Sequence, residues 1–228
     1  MEDFPEISVI IPALNAAASL VRTIESVSDI AAEIIVVDGG SSDGTREIAQ
    51  NSGARVIVAE PGRGSQLAAG ALEAEGDWFL FLHADTVLGA GWPVEVASFV
   101  SRVAGDGTKA AAFRFALDDD SRKARWLERV VAWRCRRFGL AWGDQGLLIG
   151  RTLYDSVGGY RCDMPLFEDA DFIRRIGRAR LQLLETPAAT SAEKYRRDGY
   201  LKRCLRNGLC ISAYFLNISP ATIRRYYR

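Results

Sequence analysis

The run Ile34-Ile35-Val36-Val37-Asp38-Gly39-Gly40-Ser41-Ser42-Asp43-Gly44-Thr45 decides the fold: an unbroken apolar stretch, then an acid, then a turn rich in glycine and serine. Continuous rather than alternating apolar residues mark a strand covered on both faces, as in a parallel sheet held between two layers of helices. The pattern recurs at Phe79-Leu80-Phe81-Leu82, which runs into His83-Ala84-Asp85. Ligands of open α/β sheets bind beyond the carboxyl ends of the strands, so two acids delivered there point to a site for a nucleotide and a metal.

Working outward, the first hundred residues alternate strands over 7–11, 34–37, 55–59 and 78–82 with helices over 18–27, 45–52, 65–75 and 92–103. This βαβα order predicts a doubly wound α/β fold with a mostly parallel sheet flanked by helices. The second half is less regular. A strand near 110–117 leads into Asp118-Asp119-Asp120-Ser121, which can cap an amphipathic helix to about 138 carrying Trp126, Leu127, Val130, Val131 and Cys135 at roughly helical spacing. A short strand over 147–150, a turn at Gly158-Gly159, an acid-led helix over 169–177 and a strand over 181–184 follow. Past Pro187 the chain reads as helical, over 201–216 and, after the Ser219-Pro220 start signal, 221–228. With no repeat or linker, residues 1–228 read as one domain.

The 228 residues carry 29 basic and 29 acidic side chains, a balance that argues against nucleic acid as the main partner. The charge is unevenly spread: nine Lys or Arg against one Asp from 194 to 228, and ten acids against three bases in residues 1 to 60. A basic tail of this kind suits anionic lipid, a phosphorylated ligand or the acidic end of its own fold. Four cysteines without C-x-x-C spacing, and no signal-like amino terminus, predict a cytoplasmic protein. No apolar run is long enough to span a bilayer, which leaves peripheral contact with the inner membrane face through the basic C-terminal helices open.

Several residues are suited to chemistry. Pro12-Ala13-Leu14-Asn15 ends the first strand and can lay backbone along a base or ribose, or serve only as turn and cap. Asp38 can accept a hydrogen bond from a uracil imide or a ribose hydroxyl, while Asp43 reads better as an Asx turn or helix cap. Trp142-Gly143-Asp144-Gln145-Gly146 offers an aromatic face with donors and acceptors, suited to stacking on a sugar, or a core tryptophan beside a turn. Glu168-Asp169-Ala170-Asp171 opens a helix, where acids also serve simply to complement the macrodipole. Lys194, Arg196 and Arg197 can close over a diphosphate or form a solvated helix start. Gly62-Arg63-Gly64 opens a helix after a strand, like a nicotinamide-cofactor loop, but Glu60-Pro61 lengthens the turn and the unit is third in order rather than first.

Ile7-Ser8-Val9-Ile10-Ile11-Pro12-Ala13-Leu14-Asn15, the Asp38 run, and Leu82-His83-Ala84-Asp85 together resemble the opening of family 2 glycosyltransferases with the GT-A fold, and the likeness returns at Glu168-Asp169. The Gly143-Asp144-Gln145-Gly146 and Phe167-to-Phe172 segments look similar to a small bacterial branch associated with radical-SAM, arsenosugar or selenium-linked gene neighbourhoods. The resemblance implies an inverting transfer of a sugar from a nucleotide-diphosphate donor, with a UDP-sugar expected, to an unidentified acceptor. It implies that Asp169 is the general base, oriented by Glu168 or Asp171. Pro12, Ala13, Asn15 and Asp38 would hold base and ribose, with Arg63 near the nucleotide or diphosphate.

Asp85 matches the last carboxylate of the family's D-x-D triplet and so implies a Mn²⁺ or Mg²⁺ site. His83, the only histidine, replaces the first acid and is expected at ribose or water, or as a hydrogen-bonded strand-end imidazole. Trp142, Asp144, Gln145 and Asp171 would contact sugar or acceptor. On this reading residues 1–105 form a nucleotide-binding half, 106–190 an acceptor and catalytic half, and 191–228 a basic helical tail. The rivals are a nucleotidyltransferase, a non-catalytic nucleotide-sugar or membrane-surface binding module and, more distantly, a dehydrogenase.

Overall fold

A computed structural model describes residues 4–103 and 108–225. In chain order the elements are β1 (Ile7–Ala13), α1 (Leu20–Glu25), β2 (Glu33–Asp38), α2 (Thr45–Asn51), β3 (Arg55–Val58), α3 (Arg63–Glu73), β4 (Trp78–Phe81), β5 (Thr86–Leu88), α4 (Trp92–Val103), β6 (Ala110–Leu117), α5 (Arg122–Phe138), β7 (Leu147–Gly150), α6 (Arg151–Ser156), α7 (Glu168–Ile176), β8 (Leu181–Thr190), α8 (Glu193–Asp198), α9 (Tyr200–Phe215) and α10 (Pro220–Arg224). The strands form one sheet in the order β3-β2-β1-β4-β7-β6-β8-β5. Its first four members are mutually parallel. β7 runs antiparallel between β4 and β6, β6 and β8 are parallel, and β5 is antiparallel to β8. The sheet is thus mixed, with its amino-terminal half parallel as the sequence indicates.

Both faces of that half are covered, which is why its strands are continuously apolar. Ile7, Val9 and Ile11 of β1 pack with Leu20, Ile24, Val96 and Phe99 on one side, while Ile10 packs with Val37, Leu67 and Ala71 on the other. Helix α3 lies so close to the sheet that a Cβ at Gly70 would come within 2.4 Å of Ile10 Cγ2. A third cluster joins α5 to β6 through Ala124, Leu127, Val131 and Cys135 against Phe115 and Leu117. α5 begins where expected, with Ser121 Oγ accepting from Ala124 N, and ends at Gly139, whose φ of +66° closes the last turn.

The second half departs from expectation where local pattern is weakest. β8 continues through Pro187 to Thr190 instead of stopping at 184. Proline removes a ladder donor, and the β6–β8 register shifts between Ala112 and Arg114 opposite this stretch. Glu95 of α4 compensates nearby, accepting from Glu185 N at 2.7 Å and Thr186 N at 2.8 Å. β5, α6 and α8 are each only three to six residues long and carry no legible period. α1 spans fewer residues than the predicted 18–27. The predicted final helix is described only as Pro220–Arg224, its residues 226–228 and the expected half-boundary at 105/106 lying outside the described residues.

Candidate active site

Strand directions gather the candidate residues. β1, β2 and β4 end at one sheet edge, and because β6 and β8 share their direction, Leu117 and Thr190 end there too. Antiparallel β7 starts at the same edge, so the Trp142–Gln145 turn before it lies beside His83 and Asp85. Over this edge opens a cavity of about 480 Å³ whose polar end is lined by Arg63, His83, Asp85, Asp144, Glu168, Asp169 and Lys194.

The N-terminus of α7 brings its acids into contact with the turn. Asp169 Oδ2 accepts from Gly143 N at 2.8 Å and Oδ1 from Ala170 N at 2.7 Å, leaving the carboxylate fixed at the cavity wall. A Cβ at Gly143 would stand 2.5 Å from His83 Nε2 and 3.2 Å from Asp169 Oδ2, so this position requires glycine for close approach. Arg63 Nε lies 3.1 Å from Glu168 Oε1, and Arg63 Nη1 lies 3.4 Å from His83 Nε2. Guanidinium can only donate, so the facing imidazole nitrogen accepts. Burial first, then the cations Arg63 and Lys194, push the His83 pKa well below its ordinary value and keep the ring neutral.

Carboxylates crowd this end of the cavity. Burial pushes Asp144 up to about 6; Arg134 opposes the shift, and Asp169 and Asp85 add to it. Glu168 is also raised, mainly by burial, with Arg63 opposing and Asp169 reinforcing. Asp144 Oδ1 and Trp142 Nε1 are buried without a hydrogen-bond partner among the described residues. Asp85 Oδ1 accepts from Thr190 Oγ1 at 3.4 Å. No group of three or more His, Cys, Asp or Glu that could hold a metal occurs among the described residues. A hard cation here would depend on Asp85, the crowded acids beside it, and oxygens from a ligand or water.

The Asp38 turn forms a second, adjoining part of the edge, and Pro12, Ala13, Asn15 and Asp38 do not line the cavity. Asp38 is wholly buried and accepts from Gly40 N, Ser41 N and Arg46 Nε, the last at 2.7 Å. Burial alone would raise its pKa, but bonds from Ser41, Arg46 and Gly40 outweigh it and hold the carboxyl below its usual range. Asn15, at φ +51°, accepts from Ser42 N and ties the two turns together. Asp43 forms the expected Asx turn with Thr45 N, and it also accepts from Ala17 N before α1.

Other predicted residues lie elsewhere. Gln145 is buried: its Nε2 donates to Phe113 O at 2.9 Å and its Oε1 accepts from Arg134 and Cys135, so it braces the turn from beneath. Asp171 faces Arg175 and Tyr214, away from the cavity. Arg196 pairs with Asp118 and Asp119, and Arg197 with Asp198, whereas Lys194 lines the cavity. The nicotinamide-like glycines have another purpose: a Cβ at Gly64 would come within 2.3 Å of Arg161 O, so the residue admits a neighbouring backbone.

Sequence reasoning overlooked Arg134, whose guanidinium carbon lies 3.5 Å from the Trp142 ring centroid, and Arg46. It also overlooked Gln66, whose buried Nε2 donates to Ala13 O and Val37 O at the ends of β1 and β2. Spacing gave no sign of the Gln66 contacts, which join segments distant in sequence. Arg46 and Arg134 each stand eight residues from a residue already singled out, Asp38 and Trp142, and so carried a local hint.

Comparisons with known proteins bear on the fold and the family. The profile of "Glycosyl transferase family 2" matches residues 8–141. A "PGL/p-HBAD biosynthesis glycosyltransferase" of Mycobacterium tuberculosis is 31% identical over 185 residues, covering 74% of this chain and 68% of the relative. An uncharacterized glycosyltransferase of the same species is 33% identical over 193 residues, covering 77% and 70%. Among solved structures, the mannosyltransferase PcManGT from Pyrobaculum calidifontis in complex with GDP-Man and Mn²⁺ superposes with a TM-score of 0.64 at 18% identity, over 90% of this chain and 61% of that one. Glucosyl-3-phosphoglycerate synthase from Mycobacterium tuberculosis, in complex with Mn²⁺, UDP and glucosyl-3-phosphoglycerate, gives a TM-score of 0.56 at 23% identity, over 82% and 71%. These likenesses show a GT-A-like fold, and with the profile match they establish that the chain belongs to glycosyl transferase family 2, the enzymes that move a sugar from a nucleotide sugar.

Proposed function

We propose that the protein is an inverting, metal-assisted glycosyltransferase using a UDP-sugar, with Asp169 as general base. The observation that carries this reading is the fixed carboxylate of Asp169 at the wall of a cavity that also holds Asp85, Arg63 and Lys194. The 12–15 turn, with the neighbouring turn braced by the buried Asp38, holds the base and ribose at the adjoining strand ends. Arg63 and Lys194 face the diphosphate, and neutral His83 accepts from Arg63 and keeps that cation aimed. Trp142, flattened against Arg134, lines the cavity and presents its ring to the sugar.

Asp85 would hold the divalent ion, and the unpartnered, raised Asp144 fits a site where a cation relieves crowded carboxylates. The ion supplies charge neutralisation of the diphosphate. In the transfer, the acceptor oxygen forms a bond to the anomeric carbon while the bond from that carbon to the diphosphate oxygen breaks. The acceptor proton passes to Asp169 and the nucleoside diphosphate leaves. Glu168, pinned by Arg63, orients the helix start that carries Asp169. Membership of the radical-SAM-associated branch is a narrower proposal, supported by the Gly143-Asp144-Gln145-Gly146 and Phe167-to-Phe172 segments alone.

A thermal-shift screen across nucleotide sugars with and without Mn²⁺, followed by product identification, tests the reading. Stabilisation by UDP with Mn²⁺ and release of UDP with an inverted product are expected. Release of pyrophosphate from a nucleoside triphosphate would identify a nucleotidyltransferase instead.

We also propose peripheral contact with an anionic membrane, supported by exposed Leu201, Leu205 and Leu209 of α9 beside Lys202 and Arg206. No helix of the described residues is long and apolar enough to cross a membrane. Salt-sensitive binding to vesicles containing phosphatidylserine is expected, and absence of binding at low salt overturns this contact.

A further inference from the structure

The cavity does not end at its carboxylates. It continues as a groove between α5 and α9, lined by Leu127, Val130 and Phe138 on one side and Gly208, Ile211 and Phe215 on the other. Val130, Phe138 and Phe215 are 39%, 48% and 42% exposed, so these large apolar side chains belong to no packed core. They form the wall of an opening continuous with the reacting end. Exposed apolar surface organised into a groove is a recognition feature, whereas scattered exposed residues are not.

Gly208 gives the groove its second distinguishing feature. It sits in the interior of the sixteen-residue helix α9, where glycine costs about 1 kcal/mol relative to alanine. Elsewhere in this protein, buried glycines answer a contact: Gly64 admits a backbone carbonyl and Gly70 admits Ile10. A Cβ at Gly208 would meet nothing within 4 Å. Its φ is not in the left-handed region, so neither packing nor conformation requires glycine there. Gly208 is exposed and borders the cavity, so a side chain there would project into open space at the groove. The adjacent Asn207 Oδ1, which also borders the cavity, is buried without a hydrogen-bond partner among the described residues.

The position of α9 is fixed independently of any ligand. Phe167 packs at a tilt against Tyr214 with centroids 5.2 Å apart, Tyr200 Oη donates to Asp119 Oδ2 at 2.7 Å, and Arg203 and Arg206 pair with Asp198. The groove is therefore a standing gap between two anchored helices, and a polar sugar chain would leave its apolar walls unmatched.

We propose that the acceptor is an amphipathic alcohol whose hydroxyl meets Asp169 and whose hydrocarbon chain lies between α5 and α9 past Gly208. This deepens the glycosyltransfer reading and rests on it. The chain supplies binding energy remote from the reacting hydroxyl, and Asn207 marks the junction between the polar head and the apolar arm.

Alkyl β-glucosides with two, six and eight carbons, kept below their micellar concentrations, are titrated into the wild-type protein held with UDP and Mn²⁺, and into Gly208→Leu and Ile211→Asn. Affinity should rise about two- to fourfold per added methylene in the wild type. Gly208→Leu, whose Cβ would meet no neighbour within 4 Å and whose side chain would occupy the gap, should abolish the chain-length dependence, and Ile211→Asn should weaken it. Cooperative unfolding of Gly208→Leu at or above the wild-type temperature is its folding control. If Gly208→Leu does not fold, the Ile211→Asn comparison decides. Equal affinity across chain lengths, or unchanged dependence in the folded variants, overturns the proposal. Binding of UDP to the wild type is scored separately: its absence defeats the glycosyltransfer reading, whereas UDP binding without chain-length dependence defeats the groove alone.

Discussion

Gly143 donates its backbone N–H to Asp169 Oδ2 at 2.8 Å, and the same glycine leaves no room for a Cβ between that carboxylate and His83. One residue thereby aims the proposed base and seats the turn against the imidazole. Gly143→Ala should lower turnover about 10- to 100-fold, because displacement of a catalytic group by about 1 Å has effects of that size. UDP affinity should change little. Steady-state kinetics beside calorimetric UDP binding checks the split, and loss of both in equal measure would remove the positioning role.

Asp144 makes stability depend on pH. Its pKa is raised from about 3.8 in the unfolded chain to about 6 in the fold, so the folded state holds the proton more tightly between those values. Stability should therefore be greatest below about pH 4 as far as this group is concerned, and fall as pH rises to about 6. The shift corresponds to at most about 3 kcal/mol. Asp144→Asn should flatten the dependence and stabilise the protein at pH 7.5. Urea unfolding of both proteins at pH 4.5 and 7.5 measures it. Equal pH dependence in the two would show that Asp144 is not raised.

Gln66 holds the carbonyl ends of β1 and β2 from inside the protein. Gln66→Leu keeps the volume but leaves Ala13 O and Val37 O without this donor, a loss of about 1–3 kcal/mol. The Asp38 turn follows directly from Val37, so UDP affinity should fall as well. Denaturant titration and UDP calorimetry on the same sample read both effects; an unchanged midpoint removes the anchoring role.

Chelation by EDTA should abolish turnover, with Mn²⁺ or Mg²⁺ restoring it. Asp85→Asn should raise the Mn²⁺ concentration needed for half-maximal activity at least tenfold, while leaving the protein folded. Full activity in EDTA would exclude a divalent ion from the reaction.

The parallel half of the fold was legible because burial on both faces leaves a continuous apolar mark, as at Ile34 to Val37, and because its turns carry acids and glycines at strand ends. The second half was not. The antiparallel insertion of β7, the extension of β8 through Pro187 and the three-residue β5 are fixed by tertiary pairing and by Glu95 reaching strand amides, none of which has a local period. The same limit applied at the site. Asp85, Glu168 and Asp169 could be read from their motifs, and all three line the cavity. Asp171, two residues further on, faces Arg175, because helical geometry rotates residues two apart onto different faces. Gln66 acts across long sequence separations, where no spacing rule reaches it.

The most direct test is Asp169→Asn, assayed with the nucleotide sugar that stabilises the protein best. The substitution keeps the shape but removes the proton acceptor, and its single amide oxygen can keep one of the two bonds from Gly143 N and Ala170 N. Turnover should fall at least about 100-fold while UDP affinity stays within about twofold. Wild-type turnover in the purified variant would contradict the assignment of Asp169 as the base.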